Sequence, residues 1–178
     1  MSIKVKELVK GHAPKRKTAG SAAYDCQCVT DLSRLRAFDV SYPDAKEAKP
    51  HLFAEAYGVK GSDTTITLYP QWRILIPLGF SLEFQPHLVA KLFLRSSIGL
   101  KTSLFIPNSV GVIDSDYRGE VGLILGTQFA TTLNLKDRLC QLTFEHLYFN
   151  EKGEELEIVE ALSDTDRGQG GFGSTGKE

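Results

Sequence analysis

Long hydrophobic runs are missing from this sequence. No stretch approaches the roughly 20 apolar residues of a membrane span. Met1–Lys10 alternates lysines with Ile3, Val5 and Leu8 and lacks the continuous apolar core of a signal peptide. A soluble, cytoplasmic protein with no membrane contact is therefore expected. Cysteine is also scarce: Cys26, Cys28 and Cys140 are odd in number and form no Cys-x-x-Cys pair, which argues against a disulfide framework or a zinc site. They read as reduced, mostly buried thiols. Neither sign of charge dominates, with 21 Lys and Arg against 22 Asp and Glu. With no dense basic patch either, nucleic acid is not an expected partner. Repeats and sustained helical periods are absent too. The best helical candidate, Asp44–Tyr57, contains Pro50 and admits two short turns at most.

The chain does have enough apolar residues, 42% of 178, to bury one core and form one domain. Alternating or branched apolar runs bounded by Gly, Pro and Asn recur at Ile66–Tyr69, Trp72–Ile76, Phe80–Phe84, Leu88–Leu94, Val121–Leu125 and Leu139–Phe149. That spacing predicts many short strands in an all-β sandwich or barrel. Asp31–Asp63, mixing Lys, Glu, Ala and Pro, reads as a surface excursion.

Polar chemistry collects at the predicted strand ends. Gly111–Val121 sets Asp114, Asp116, Tyr117 and Arg118 on one turn. Ser115-Asp116 with Gly119 would suffice to turn the chain, so the other side chains are surplus to turn-making. A carboxylate such as Asp114 can orient and deprotonate a water, and the Tyr117 ring can pack on a flat or sugar-like ligand. An ordinary charged β-turn has the same composition. Three more patches share this character. Ala19–Asp25 leads small residues into an aromatic and an acid. Arg95-Ser96-Ser97 follows a strand and would open a short helix, with a serine cap and free N–H groups suited to an anion. Asp137–Gln141 sets an amide inside an apolar strand, where it needs a partner.

The last twelve residues, Arg167–Glu178, hold five glycines and cannot fold alone. One reading is a frayed tail. The other is a tail ordered by a ligand, with glycine N–H groups curled around phosphate, Arg167, Ser174 and Thr175 donating, and Phe172 covering a base. The dinucleotide-like spacing of Gly168, Gly170 and Gly173 carries nothing, because only five residues remain for a helix.

Taken in order, Ala22-Ala23-Tyr24-Asp25, Arg95-Ser96-Ser97, Asn108–Val121, Asp137–Gln141 and Arg167–Gly176 resemble the five motifs of the trimeric dUTPases. The resemblance covers both ends and the middle of the chain. It implies a jelly-roll-like β subunit over residues 1–166, a flexible glycine-rich arm at 167–178, and a homotrimer with active sites shared between subunits. The implied reaction is Mg²⁺-assisted hydrolysis of dUTP to dUMP and pyrophosphate, which limits uracil in DNA and supplies dUMP for dTMP synthesis.

By the same resemblance, Asp114 activates the water that attacks the α-phosphorus. Asn108 and the backbone of Val110, Gly111, Val112 and Ile113 read the uracil edge. Tyr117 packs under the deoxyribose and excludes a 2′-hydroxyl. Ser96 contacts the phosphate chain and Arg95 helps fix the site, with Ser97 beside them in the substrate-binding set; Gln141 holds phosphate or water, and Asp25 acts near the hydrated metal, which has no direct protein ligand. The arm closes over a neighbouring subunit's site, with Phe172 and Gly173 at the base and Arg167, Ser174 and Thr175 on the phosphates.

The chain departs from the family pattern in places. Leu94 and Ser97 replace the usual Pro and Gly around Arg95-Ser96, and Gln169 stands where Ser is frequent in the arm. Asp25 to Arg95 spans 70 positions, so Asp31–Asp63 is the expected insertion, either a solvated loop or a surface for a protein partner. Two rivals follow. A nucleotide-gated regulatory protein on the same scaffold would use that insertion for docking. A dCTP deaminase would need an arginine and a glutamate where this chain has Leu100 and Ile124, and apolar side chains cannot shuttle protons.

Overall fold

The computed structural model describes residues 2–40, 46–48, 64–147 and 158–166. It divides into a body of residues 1–148 and a C-terminal unit of residues 149–178. In the second unit, residues 158–166 carry neither helix nor strand and are exposed. The expected arm at 167–178 lies outside the described residues.

The body is all-β and jelly-roll-like, as expected, and every strand pairing in it is antiparallel. Its strands are β1 (Lys4–Glu7), β2 (Tyr24–Cys26), β3 (Arg36–Asp39), β4 (Lys46–Ala48), β5 (Thr65–Leu68), β6 (Trp72–Pro77), β7 (Phe80–Glu83), β8 (Leu88–Leu94), β9 (Leu104–Phe105), β10 (Gly111–Ile113), β11 (Gly122–Thr127), β12 (Thr131–Asn134) and β13 (Cys140–His146). One sheet runs β10-β8-β13-β2 and a second β4-β3-β6-β11-β9, while β1 pairs with β7 and β12 with β5. The core lies between their inner faces, where Ile74 and Ile76 of β6, Leu123 and Leu125 of β11, and Leu92 and Leu142 of β8 and β13 are buried. Period-two alternation produces this arrangement: in β6 the buried isoleucines alternate with half-buried Arg73 and Leu75.

The corner between β6 and β7 sends the chain from the second sheet to β1. Gly79 makes it possible, with φ of +78°. A Cβ there would also stand 2.7 Å from Nδ1 of His12.

Two expectations are corrected. Asp31–Asp63 does not begin as a surface excursion, because β3 pairs with β6 in the second sheet and Leu35 and Ala37 are buried. Within the helical candidate Asp44–Tyr57, Lys46–Ala48 is a strand paired with β3; the rest of that candidate lies outside the described residues. The three cysteines are buried and unpaired, as expected. Burial pushes the Cys28 thiol up to about 12. Cys140 is raised by its hydrogen bond with Cys26 and by burial. No helix among the described residues is long and apolar enough to cross a membrane.

Candidate active site

The turn from β10 to β11 is built largely by its own side chains. The Tyr117 N–H donates to the Asp114 carbonyl at 3.2 Å, and Arg118 Nη1 donates to the Ser115 carbonyl at 2.7 Å. Arg118, read above as surplus to turn-making, is therefore a brace of the turn. The Tyr117 hydroxyl donates to the Glu120 carbonyl at 3.0 Å, so the ring folds back across Gly119. Any Cβ at Gly119 would lie 2.3 Å from that hydroxyl oxygen. Ahead of β10, Ser109 holds a left-handed φ of 64° in a tight turn closed by its N–H to the Ile106 carbonyl at 2.8 Å. A non-glycine residue in this region stores about 1–3 kcal/mol, held by the surrounding bonds.

These two turns flank a cleft of about 640 Å³. It brings together Asn108, Gly111, Val112, Ile113, Asp114 and Tyr117. Val110 sits in the Ser109 turn, its N–H on the Asn108 carbonyl at 2.7 Å, and does not line the cleft. Asp114 is exposed at the cleft's end, and Tyr117 is 47% exposed. Among the described residues β10 has one strand neighbour, β8, so its other edge offers backbone N–H and C=O groups to a ligand. Three charged cleft residues, Arg34, Arg36 and Glu120, were not among the site residues expected from the sequence. The first two lie in a segment taken for an excursion, and Glu120 passes for an ordinary turn acid.

A second cluster forms where β8 meets the short helix α1 (Ser96–Lys101) and β13. Asp25 accepts Arg95 Nε at 3.1 Å and Arg138 Nη1 at 2.7 Å, and its side chain is only 12% exposed. Arg95 Nη1 also donates to the Arg138 carbonyl at 3.2 Å. Gln141 faces Asp25 across the β2–β13 pairing and finds the partner its amide needs at the Leu94 carbonyl, 3.4 Å away. The expected serine cap is corrected: Arg95 is the N-cap and makes no side-chain cap bond, leaving Ser96 and Ser97 exposed. Arg95, Lys101, Lys136 and Arg138 line one groove together with Ser97 and Asp137, a net-positive array suited to an anion. Arg138 belongs to the quoted motif but was not singled out.

The two clusters sit toward opposite ends of β8. Ile113 pairs with Ala90, and Arg95 lies five residues further along the chain, about 17 Å at ~3.3 Å per residue. Among the described residues, no group of three or more His, Cys, Asp or Glu side chains could hold a metal. That donor set does not make a protein cage for a cation, but it fits an ion carried in by phosphate oxygens and water. Arg167, Phe172, Gly173, Ser174 and Thr175 lie outside the described residues.

Residues 61–176 match the dUTPase family model. The chain is 39% identical over 118 residues, 65% of this chain and 78% of the relative, to a deoxyuridine 5'-triphosphate nucleotidohydrolase of Anaeromyxobacter sp.. It is 31% identical over 180 residues to the protein of that name from Heliobacterium modesticaldum, covering 99% of this chain and 97% of the relative. Among solved structures, a variant of the Staphylococcus bacteriophage 80alpha dUTPase with dUpNHpp aligns at a TM-score of 0.67 and 21% identity, covering 99% of both chains. The dUTPase of S. aureus phage phi11, described with a structural Mg(II) ion, aligns at 0.61 and 18%, covering 90% of this chain and 98% of that one. With five motifs in order, a jelly-roll-like body and a whole-length relative above 30% identity, the chain belongs to the dUTPase family.

Proposed function

We propose that the protein hydrolyses dUTP to dUMP and pyrophosphate at sites shared between subunits of a homotrimer. The observation that carries this reading is the convergence of Asn108, the open edge of β10, Asp114 and Tyr117 on one cleft. A strand edge pairs with a pyrimidine as it would with another strand, by alternating donors and acceptors, and Asn108 adds a side-chain contact. Tyr117 lies under the sugar, where a rigid ring leaves no room for a 2′-hydroxyl. Asp114, at the cleft's end, takes a proton from the water that attacks the α-phosphorus in line, and pyrophosphate leaves.

Arg95, Ser96, Ser97 and Gln141 supply the phosphate contacts, with Arg138 added by the geometry. In the proposed trimer the phosphate-binding residues of one subunit serve the cleft of another, in keeping with the roughly 17 Å along β8 that separates the two clusters in one chain. Asp25, whose carboxylate retains lone pairs beyond its two arginines, would accept from the hydration shell of a Mg²⁺ ion carried in with the triphosphate. When bound, the ion neutralises charge on the triphosphate and its leaving group. The arm at 167–178 closes over a neighbouring site and excludes bulk water.

The test is pyrophosphate and ammonia release from dUTP, dCTP and UTP, with Mg²⁺ and with EDTA. Metal-dependent pyrophosphate from dUTP alone is the expected result. Ammonia from dCTP would point instead to deamination, against which stand Leu100 and Ile124, apolar and 84% and 41% exposed. Measurable dUTP binding without turnover would favour the regulatory scaffold.

A further inference from the structure

We propose that Glu120, braced by Arg34, is a positioning residue for sugar discrimination: it fixes where the Tyr117 ring stands in the cleft. The inference rests on the reading of Tyr117 as the sugar gate.

Glu120 ties three distant parts of the chain together. Its Oε1 accepts the Gly79 N–H at 2.8 Å, and its Oε2 accepts Arg34 Nη2 at 2.6 Å. Its backbone carbonyl accepts the Tyr117 hydroxyl at 3.0 Å. The next residue continues the anchorage, since the Val121 N–H donates to the Phe80 carbonyl and the Leu78 N–H donates to the Val121 carbonyl, both at 2.9 Å. The peptide that receives the tyrosine is thus riveted to the rigid corner at Leu78–Phe80. Arg34 is anchored in turn. It ends a 3-10 turn, Leu32–Arg34, whose cap Asp31 accepts the Ser33 N–H at 3.0 Å and the Ser33 hydroxyl at 2.7 Å.

Among the described residues the Tyr117 side chain has one hydrogen bond, to the Glu120 carbonyl. Tyr117 is 47% exposed, and the absence of a side chain at Gly119 leaves room beneath its hydroxyl without gripping it. Its height therefore follows the Glu120 carbonyl. The ion pair also leaves the cleft wall beside the ring electrically balanced. Both partners line the cleft and both are largely shielded, at 34% and 24% side-chain exposure. A gate that works by occupying the space of one hydroxyl group tolerates little movement, so loosening either brace should cost discrimination before it costs chemistry.

The experiment measures kcat and KM for dUTP and UTP in Tyr117→Ala, Tyr117→Phe, Arg34→Ala, Arg34→Lys and Glu120→Gln, with Tm recorded for each. Tyr117→Phe, Arg34→Ala and Glu120→Gln are each expected to lower the dUTP/UTP ratio of kcat/KM by about 5–10-fold, mainly through KM. Arg34→Lys should restore much of the ratio, because a lysine can still reach one carboxylate oxygen. The double variant Arg34→Ala/Tyr117→Phe should lose no more than the worse single variant, since both act through one hydroxyl. A lowered ratio in Tyr117→Ala beside unchanged ratios in Arg34→Ala and Glu120→Gln, with only Tm reduced, overturns the positioning role and leaves the gate standing. An unchanged ratio in Tyr117→Ala removes the gate and the brace together. Should Glu120→Gln fail to fold, Arg34→Ala and Tyr117→Phe decide the matter.

Discussion

Asp114 serves the turn it begins through its backbone and, among the described residues, not through a side-chain bond. Its backbone carbonyl closes the turn, while its carboxylate stands exposed at the cleft's end. Asp114→Asn should therefore keep dUTP affinity within a few-fold and lower kcat by about 10²–10⁴, checked by steady-state rates beside equilibrium binding. Gly79→Ala tests the corner: the φ of +78° and the His12 ring at 2.7 Å both oppose a methyl group. The expected loss is about 2 kcal/mol or more, read from urea unfolding. Asp114 and Tyr117 stood out in the sequence because Ser115, Asp116 and Gly119 would suffice for a turn, although in this one the Tyr117 hydroxyl also braces the chain. Arg118 was misread for the opposite reason, since a guanidinium that caps carbonyls three residues away looks the same in sequence as one aimed at a ligand. Arg34 was invisible: its meaning lies in a carboxylate 86 positions distant.

Among the elements, β8 emerged at its expected bounds, and β6 and β7 within one residue of theirs, because apolar runs over a core leave a clear period, whereas β13 ends at His146, short of the expected Phe149. β1 was not expected as a strand, since all four of its residues are exposed and only pairing with β7 defines it. β10, three residues long, was legible as chemistry but not as a strand. β3 was hidden in a charged segment whose inward positions, Leu35 and Ala37, are too few to set a period. At the C-terminus the sequence speaks where the described structure does not. Truncation before Arg167 should remove most dUTP turnover and leave the far-UV circular dichroism and Tm of the body unchanged. An unaltered kcat would remove the arm from the mechanism.

For the whole molecule, the buried thiols set an alkaline limit. With Cys28 pushed up to about 12 from an ordinary 9.0, the folded chain keeps a proton that the unfolded chain gives up. Stability should thus fall progressively as pH rises from about 9 towards 12, and Cys28→Ser should flatten that decline in urea titrations taken across the range. The proposed assembly makes a sharper prediction from the placing of Asp114 and Arg95 toward opposite ends of β8. Two variants, Asp114→Asn and Arg95→Ala, each inactive alone, would rescue one another after co-refolding. Every mixed ring contains one junction at which an intact Asp114 meets an intact Arg95, so an equal mixture should regain roughly a quarter of wild-type activity. On the proposed assembly, two dead alleles with one lesion toward each end of a single strand should therefore complement each other genetically.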